Sequence, residues 1–350
     1  MVKEWESSDY QDALVELDQE LKLNPDSIEL YYRRCEIYYI LEDYLLGIKD
    51  LDTILQRNSQ DALAYMFRGY GYGKLEDYQQ AIADYTAAIQ LCPNYAKAYF
   101  NRGSIYNQLE QYKDAIADFN RAIELQPNYV DAYYNRGIAH NKLEQYSDAI
   151  ADYTQVIHLQ PDDEEAYYNR GNTYNKIKQY SQALNDYNQA IALKPQDLEP
   201  YYNRANVYHK TQNYLKAIAD YTHVIKYNPR HAPTYFNRGT TFLSAQYYQK
   251  AIADFDNAIR LNPQYAEAYY NRAIAYNKIK KYQPAIADHQ KAIKLKPNYA
   301  EAYGNLGLVQ YSTGNKSEAL KNLQQAARLF QEQNNLALYR YVKNKLKEIG

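Results

Sequence analysis

The sequence predicts an all-α fold built from antiparallel helix pairs stacked one on the next. Three observations carry that expectation: a proline grid with a fixed period, two apolar stripes at helical spacing between successive prolines, and a large excess of tyrosine. Pro25, Pro93, Pro127, Pro161, Pro195, Pro229, Pro263 and Pro297 fall on one 34-residue grid, which only Ser59 and Gln331 break. Self-similarity at a fixed period of this size marks a repeat architecture. Pro200, Pro233 and Pro284 stand near expected helix starts, where a missing N–H costs little.

Each interval holds two helical stretches. In the copy that begins at Ala96, Tyr99, Gly103 and Tyr106 are spaced four and three, and so are Ala115, Phe119 and Ala122. Such a set is one narrow stripe of a helix. A nearly bare residue beside a ring lets two helices approach closely, and neither helix alone can bury its stripe, so successive pairs must stack. Tyr99 recurs as Tyr31, Tyr65, Tyr133, Tyr167, Tyr201, Tyr235, Tyr269 and Tyr303. Gly103 recurs as glycine or as Cys35, Ala205 and Ala273, and Ala115 recurs everywhere except at Gly47. A mean hydropathy of −0.76 is low for a globule. The 44 tyrosines, beside one tryptophan and two methionines, explain it if tyrosine is the main core residue.

These residues resemble the tetratricopeptide repeat, whose pattern is an aromatic, a small residue and a tyrosine, then alanine, an aromatic ring, alanine and proline. The resemblance implies a right-handed superhelical solenoid that acts as a non-enzymatic protein-interaction scaffold. It is expected to hold an extended peptide segment in a concave groove lined by the first helices. Residues 1–27 are expected to supply only the second helix of a partial copy, 28–333 nine complete copies, and 334–350 a capping helix with the apolar stripe Leu336, Tyr339, Val342, Leu346 and Ile349. The family usually has glycine at the corner between the two helices. Here only Gly314 supplies it, and Glu42, Glu76, Glu110, Glu144, Lys178, Gln212, Gln246 and Lys280 stand elsewhere. A positive φ at that corner would cost each of them on the order of 1 kcal/mol.

Two polar series recur without a packing reason. Asn101, Asn135, Asn169, Asn203, Asn237, Asn271 and Asn305 point away from the tyrosine stripe, by about 200° at helical pitch. A carboxamide offers donor and acceptor to an extended chain of any sequence. The resemblance places this series on the groove wall as a backbone-binding ladder. The alternative is that each amide bonds a neighbouring helix or water. The aromatic row Tyr134, Tyr168, Tyr202, Phe236 and Tyr270 (with Phe100) and the lysines Lys142, Lys176 and Lys210 share that face. For the row, packing against the next copy competes with ligand contact. The second series is Arg34, Arg68, Arg102, Arg136, Arg170, Arg204, Arg238 and Arg272, each with an aspartate 16 residues later. The copy with Leu306 has Asn322 in the aspartate's place, so the two charges are expected to pair inside one copy.

Composition narrows the function classes. Forty basic against 42 acidic residues, a formal net charge of −2, build no field for nucleic acid. No apolar run is long enough for membrane insertion, and the start MVKEWESSDYQ lacks the apolar core of a leader, so a cytoplasmic location is expected. Cys35 and Cys92 are too few for a disulfide framework or zinc. No histidine spacing, phosphate loop or nucleophile motif points to a metal, a cofactor or catalysis. The partner is therefore a protein or peptide, and the alternative is a homo-oligomeric scaffold that joins through an exposed N-terminal helix.

Overall fold

The computed structural model describes residues 7–349. The expectations on the first six residues and on Gly350 lie outside that range. The chain falls into two compact units, Met1–Ile177 and Lys178–Gly350. Their boundary lies at the corner inside one copy rather than between copies.

The first unit contains α1 (Ser7–Leu23), α2 (Ile28–Ile40), α3 (Tyr44–Arg57), α4 (Ala62–Lys74), α5 (Tyr78–Leu91), α6 (Ala96–Gln108), α7 (Tyr112–Leu125), α8 (Val130–Lys142), α9 (Tyr146–Leu159) and α10 (Glu164–Lys176). The second contains α11 (Tyr180–Leu193), α12 (Glu199–Lys210), α13 (Tyr214–Tyr227), α14 (Ala232–Ser244), α15 (Tyr248–Leu261), α16 (Ala266–Lys278), α17 (Tyr282–Leu295), α18 (Ala300–Ser312), α19 (Lys316–Glu332) and α20 (Leu336–Ile349). No strand occurs among the described residues.

The seam of each pair follows from the small residue. A Cβ added at Gly103 would meet the Phe119 ring at 2.9 Å, and one at Gly137 would meet Tyr153 at 2.9 Å. Only glycine, or a residue nearly as small, lets the ring lie across the first helix. Phe119, Tyr153, Tyr187, Tyr221 and Phe255 are accordingly buried to below 2% exposure. The first-helix tyrosines, expected as core, divide: Tyr235 is buried in a core cluster, while Tyr31, Tyr65 and Tyr99 pack against the edges of others. Tyr31, Tyr99 and Tyr133 are half-buried, and each flanks an arginine that is itself partly exposed. Arg34 lies over the rings of Tyr31 and Tyr38 at 5.6 and 5.9 Å, and Arg102 over Tyr99 and Tyr106 at 5.9 Å. These are cation–π sandwiches with the rings three residues before and four after.

Every corner adopts the left-handed conformation despite its side chain. Glu42, Glu76, Glu110 and Glu144 in the first unit, and Lys178, Gln212, Gln246 and Lys280 in the second, have φ between 59° and 65°. Two backbone bonds hold the turn. Gln111 N–H donates to the Tyr106 carbonyl at 2.8 Å and Glu110 N–H to Asn107 at 3.1 Å, and Asn213 and Gln212 do the same with Tyr208 and His209. This paired closure of the helix end satisfies carbonyls that would otherwise be orphaned, and it holds the corner in the left-handed conformation.

At the ends, α1 packs on α2 through Leu17, Leu21 and Leu30. Helix α20 closes on α19 through Val342 and Ile349, with Leu338, Tyr339 and Leu346 beside them. Leu336, expected in that stripe, is instead 57% exposed, and Leu338 takes its place.

His289 replaces the ring that other copies bury in the second helix. It is 1% exposed, its centroid lies 5.6 Å from that of Tyr270, and its Nδ1 has no partner. Burial pushes its pKa down from 6.5 to about 4. A depressed histidine is neutral in the fold, so its stability is complete above about pH 6.5 and is lost as pH falls toward 4. His289→Phe should remove a loss on the order of 3 kcal/mol between those limits. Urea midpoints measured on both proteins near neutrality and near about pH 4.5 check this. Equal acid sensitivity in the two would refute it.

Candidate functional site

The arginine series settles first. The forks of Arg34, Arg68, Arg102 and Arg136 in the first unit, and of Arg204, Arg238 and Arg272 in the second, each bind the aspartate of their own copy in a bidentate pair, Nε to Oδ2 and Nη2 to Oδ1, at 2.5–3.0 Å. The aspartates are buried. The remaining nitrogen, Nη1, reaches back into the preceding copy, to a residue 16 positions earlier. Its acceptors are Asp18, Asp52, Thr86, Asn120 and Thr154 in the first unit, and Asn188, Thr222 and Asp256 in the second, at 2.5–2.9 Å. One guanidinium thus fixes the angle inside a pair and the spacing between pairs. The copy without arginine confirms the logic: Leu306 is buried at 3%, and Asn322 donates to Gln310 instead.

The asparagine ladder was expected to present free amides, and that part of the expectation fails. Asn169 donates from Nδ2 to the Tyr134 hydroxyl at 2.8 Å, Asn237 to Tyr202 at 2.8 Å, and Asn305 to Tyr270 at 3.0 Å. Each bond spans 35 residues to the aromatic row of the copy before. Where that row holds phenylalanine there is no hydroxyl to reach. Asn135, which follows Phe100, turns to the Asp131 carbonyl, and Asn271, which follows Phe236, turns to the Thr240 hydroxyl. Asn101 lies against the Met66 sulfur at 3.7 Å. These amides and Asn203 are all half-buried.

The aromatic row packs at least as much as it displays. Tyr134 sits 6.0 Å from Tyr153, Tyr202 6.0 Å from Tyr221, Phe236 4.7 Å from Tyr265, and Tyr270 4.8 Å from Tyr299. The Tyr134 hydroxyl donates to Glu165 at 2.9 Å, and burial together with that carboxylate raises its pKa. Tyr168 is half-buried like the others. Lys142, Lys176 and Lys210 are exposed at the helix ends. In the first unit the structure therefore gathers Asn101, Asn135, Asn169, Tyr134, Tyr168, Lys142 and Lys176 on α6, α8 and α10. In the second it gathers Asn203, Asn237, Asn271, Asn305, Tyr202, Phe236, Tyr270 and Lys210 on α12, α14, α16 and α18.

A cavity on the first-helix wall of the first unit lies just ahead of the ladder. A pocket of about 440 Å³ opens between α2, α4 and α6, walled by Tyr39, Ile40, Met66, Phe67 and Tyr70. Glu36 and Lys97 flank it, and Asn101 closes its far side. A shallower hollow of about 190 Å³ continues from Tyr70 and Asn101 along Phe100 and Ser104. Phe67 holds the ladder position of its copy, so the amide is replaced by a ring where the cavity forms. Ile40 and Tyr70 are 57% and 39% exposed. Sequence reasoning passed over these residues because it searched for recurrence, and the signal lay in the departure from it.

Models of the tetratricopeptide repeat match residues 130–163, 152–185, 198–231, 266–299 and 300–333, and a further TPR repeat model matches 69–109, 103–144, 171–212 and 239–280. The matches cover most of the chain. It belongs to the tetratricopeptide-repeat family. No curated protein matches the sequence. A tetratricopeptide repeat protein of Parabacteroides merdae is similar in structure at 19% identity with a TM-score of 0.52, covering 71% of this chain and 98% of that one. The MamA fragment of Desulfovibrio magneticus is 21% identical with a TM-score of 0.47, covering 49% of this chain and 98% of its own. YrrB, a TPR protein described as having an unusual peptide-binding site, is 22% identical with a TM-score of 0.41, covering 62% and 95%. At these identities the likeness concerns the fold. Among the described residues of the array, no cluster of side chains could hold a metal ion and no helix is long and apolar enough to cross a membrane.

Proposed function

We propose that this array is a non-catalytic scaffold that holds an extended segment of a partner protein against its first-helix wall. The observation that carries this reading is the α2–α4–α6 pocket, an exposed aromatic and aliphatic hollow on the wall where the ladder is interrupted. It would seat one large apolar side chain of the segment, with Glu36 and Lys97 reading charge on either side. Apolar anchors in pockets supply most of the energy of such contacts. The asparagines support the segment less directly. At Asn169, Asn237 and Asn305 the amide nitrogen fixes a ring of the row, and in this reading the carboxamide oxygen would accept from a partner backbone.

Peptides selected from a random library on the intact chain should share a large apolar residue. Tyr70→Ala and Ile40→Asp should each weaken them about tenfold or more, as expected for a lost anchor contact. Asn169→Ala should lower stability by about 1 kcal/mol through the lost bond to Tyr134. Its effect on affinity should be small. Selected peptides with no common residue, or binding that survives both pocket changes, would remove the reading.

A further inference from the structure

The corners carry a pattern of charge that packing does not explain. In a stack of antiparallel pairs, every corner inside a copy emerges at one edge and every loop between copies at the other. In the first unit the corners that start at Ile40, Lys74, Gln108 and Lys142 read ILEDYLLG, KLEDYQQA, QLEQYKDA and KLEQYSDA. Each holds two carboxylates. In the second unit the corners that start at Lys210, Ser244 and Lys278 read KTQNYLKA, SAQYYQKA and KIKKYQPA, with lysines and no carboxylate. The stretch that opens this unit, KQYSQA from Lys178, also has a lysine and no acid. The corner at Gly314, with Lys316 and Glu318, is mixed. The change of sign falls at the boundary between the two units.

The residue in the left-handed conformation changes with the edge. Glu42, Glu76, Glu110 and Glu144 hold it in the first unit, and Lys178, Gln212, Gln246 and Lys280 in the second, all at φ of 59–65°. Backbone geometry therefore does not choose between the signs. Packing does not choose either. The side chains of Glu110, Glu144, Lys178 and Lys280 are exposed, and among the described residues they enter no ion pair. Apolar groups stand among the charges on each edge. Leu45 and Leu75 are exposed on the acidic edge, and Leu215 and Tyr247 on the basic one. Lys250 Nζ lies over the Tyr247 ring at 5.4 Å, so base and ring form one strip.

We propose that copies of this chain associate edge to edge. The acidic corner edge of the first unit in one copy lies against the basic corner edge of the second unit in another. Charge complementarity singles out this occupant. Both edges repeat their charges at the same 34-residue period, so successive corners on one meet successive corners on the other in step. An acidic segment of a foreign protein would match the basic edge and leave the acidic edge without a counterpart. Exposed ion pairs contribute little individually. The charges therefore set encounter and register, and Leu45, Leu75, Leu215 and Tyr247 supply the apolar contact between them. No corner residue lines the α2–α4–α6 pocket, so either site can exist without the other.

Charge exchange at the corners tests it. The chain should show a mass in solution that rises with concentration at low ionic strength. Raising salt from about 0.05 to 0.5 M should weaken association about tenfold or more, because the edge charges are exposed. One variant carries Glu42→Lys, Glu76→Lys, Glu110→Lys and Glu144→Lys. A second carries Lys178→Glu, Gln212→Glu, Gln246→Glu and Lys280→Glu. Each should associate at least tenfold more weakly than the parent chain, with unchanged helicity. Every exchange puts into a corner a residue that an equivalent corner already holds at the same φ, so the fold is preserved. Mixed in equal amounts, the two variants should associate again, because each keeps the edge that the other has lost. An association that either variant leaves intact, or a mixture that fails to associate, would overturn the proposal. So would a chain that is monomeric throughout. If that monomer were retained on immobilised poly-glutamate by the first variant's unaltered basic edge and not by the second's, the edge would belong to an acidic partner instead.

Discussion

Asp152→Ala is expected to lower the stability of its copy by about 3 kcal/mol or more, because it strands a buried guanidinium. The Arg136 and Asp152 side chains are 19% and 5% exposed, and the carboxylate accepts both inner nitrogens of the fork. Removing it leaves two donors facing a seam that water reaches poorly. Removing both partners should cost less than removing one. Leu306 with Asn322 already shows the arrangement without charge, a buried leucine and an amide turned to Gln310. Arg136→Leu with Asp152→Asn should therefore recover at least half of the single-variant loss. A double-mutant cycle by urea denaturation measures the coupling, expected to be about 1.5–3 kcal/mol. Additive losses would mean that the pair does not act as a unit.

The largest gain in stability should come from the corners. Glu110, Glu144, Gln212 and Gln246 hold φ of 59–65° with exposed side chains. Each pays the left-handed penalty without a side-chain contact in return. Glycine at any one of them should stabilise the chain by about 1 kcal/mol, less the greater freedom glycine has when unfolded. The four lie in separate copies and should add nearly independently, giving a few kcal/mol together. Thermal and urea midpoints of the four-glycine variant check this. A midpoint that stays put or falls would show that the paired closing bonds already remove the strain.

Periodic features were legible in the sequence because each copy repeats the same physical problem. The 34-residue period, the small residue under the ring and the pairing of Arg136 with Asp152 could all be read from spacing. Three features could not. The Nη1 acceptors change identity among Asp18, Thr86 and Asn120, so a search for one recurring residue type misses a constant separation of 16 positions. The asparagines looked free because their partners lie 35 residues away, and only the change from Tyr134 to Phe100 in the row betrays the hydroxyl they need. The α2–α4–α6 pocket forms where Phe67 interrupts the ladder, so the search for recurrence stepped over it. Recurrence shows what holds the array together, and the breaks in it mark where a partner can be recognised.

The reach of the arginine in both directions also sets a rule for how such a chain can change length. Each fork measures 16 residues forward to its own aspartate and 16 back to an acceptor in the neighbouring copy. Excision of residues 96–129 would bring Thr86 to the place that Asn120 holds beside Arg136, and Thr86 already serves Arg102 in that role. The bond re-forms because the acceptor needs only a lone pair at the right separation. An excision that is not a whole number of 34-residue periods breaks the count on one side. The arginines thus act as a ruler with a single graduation, and the gain or loss of whole copies is the one change of length that leaves every mark on it matched.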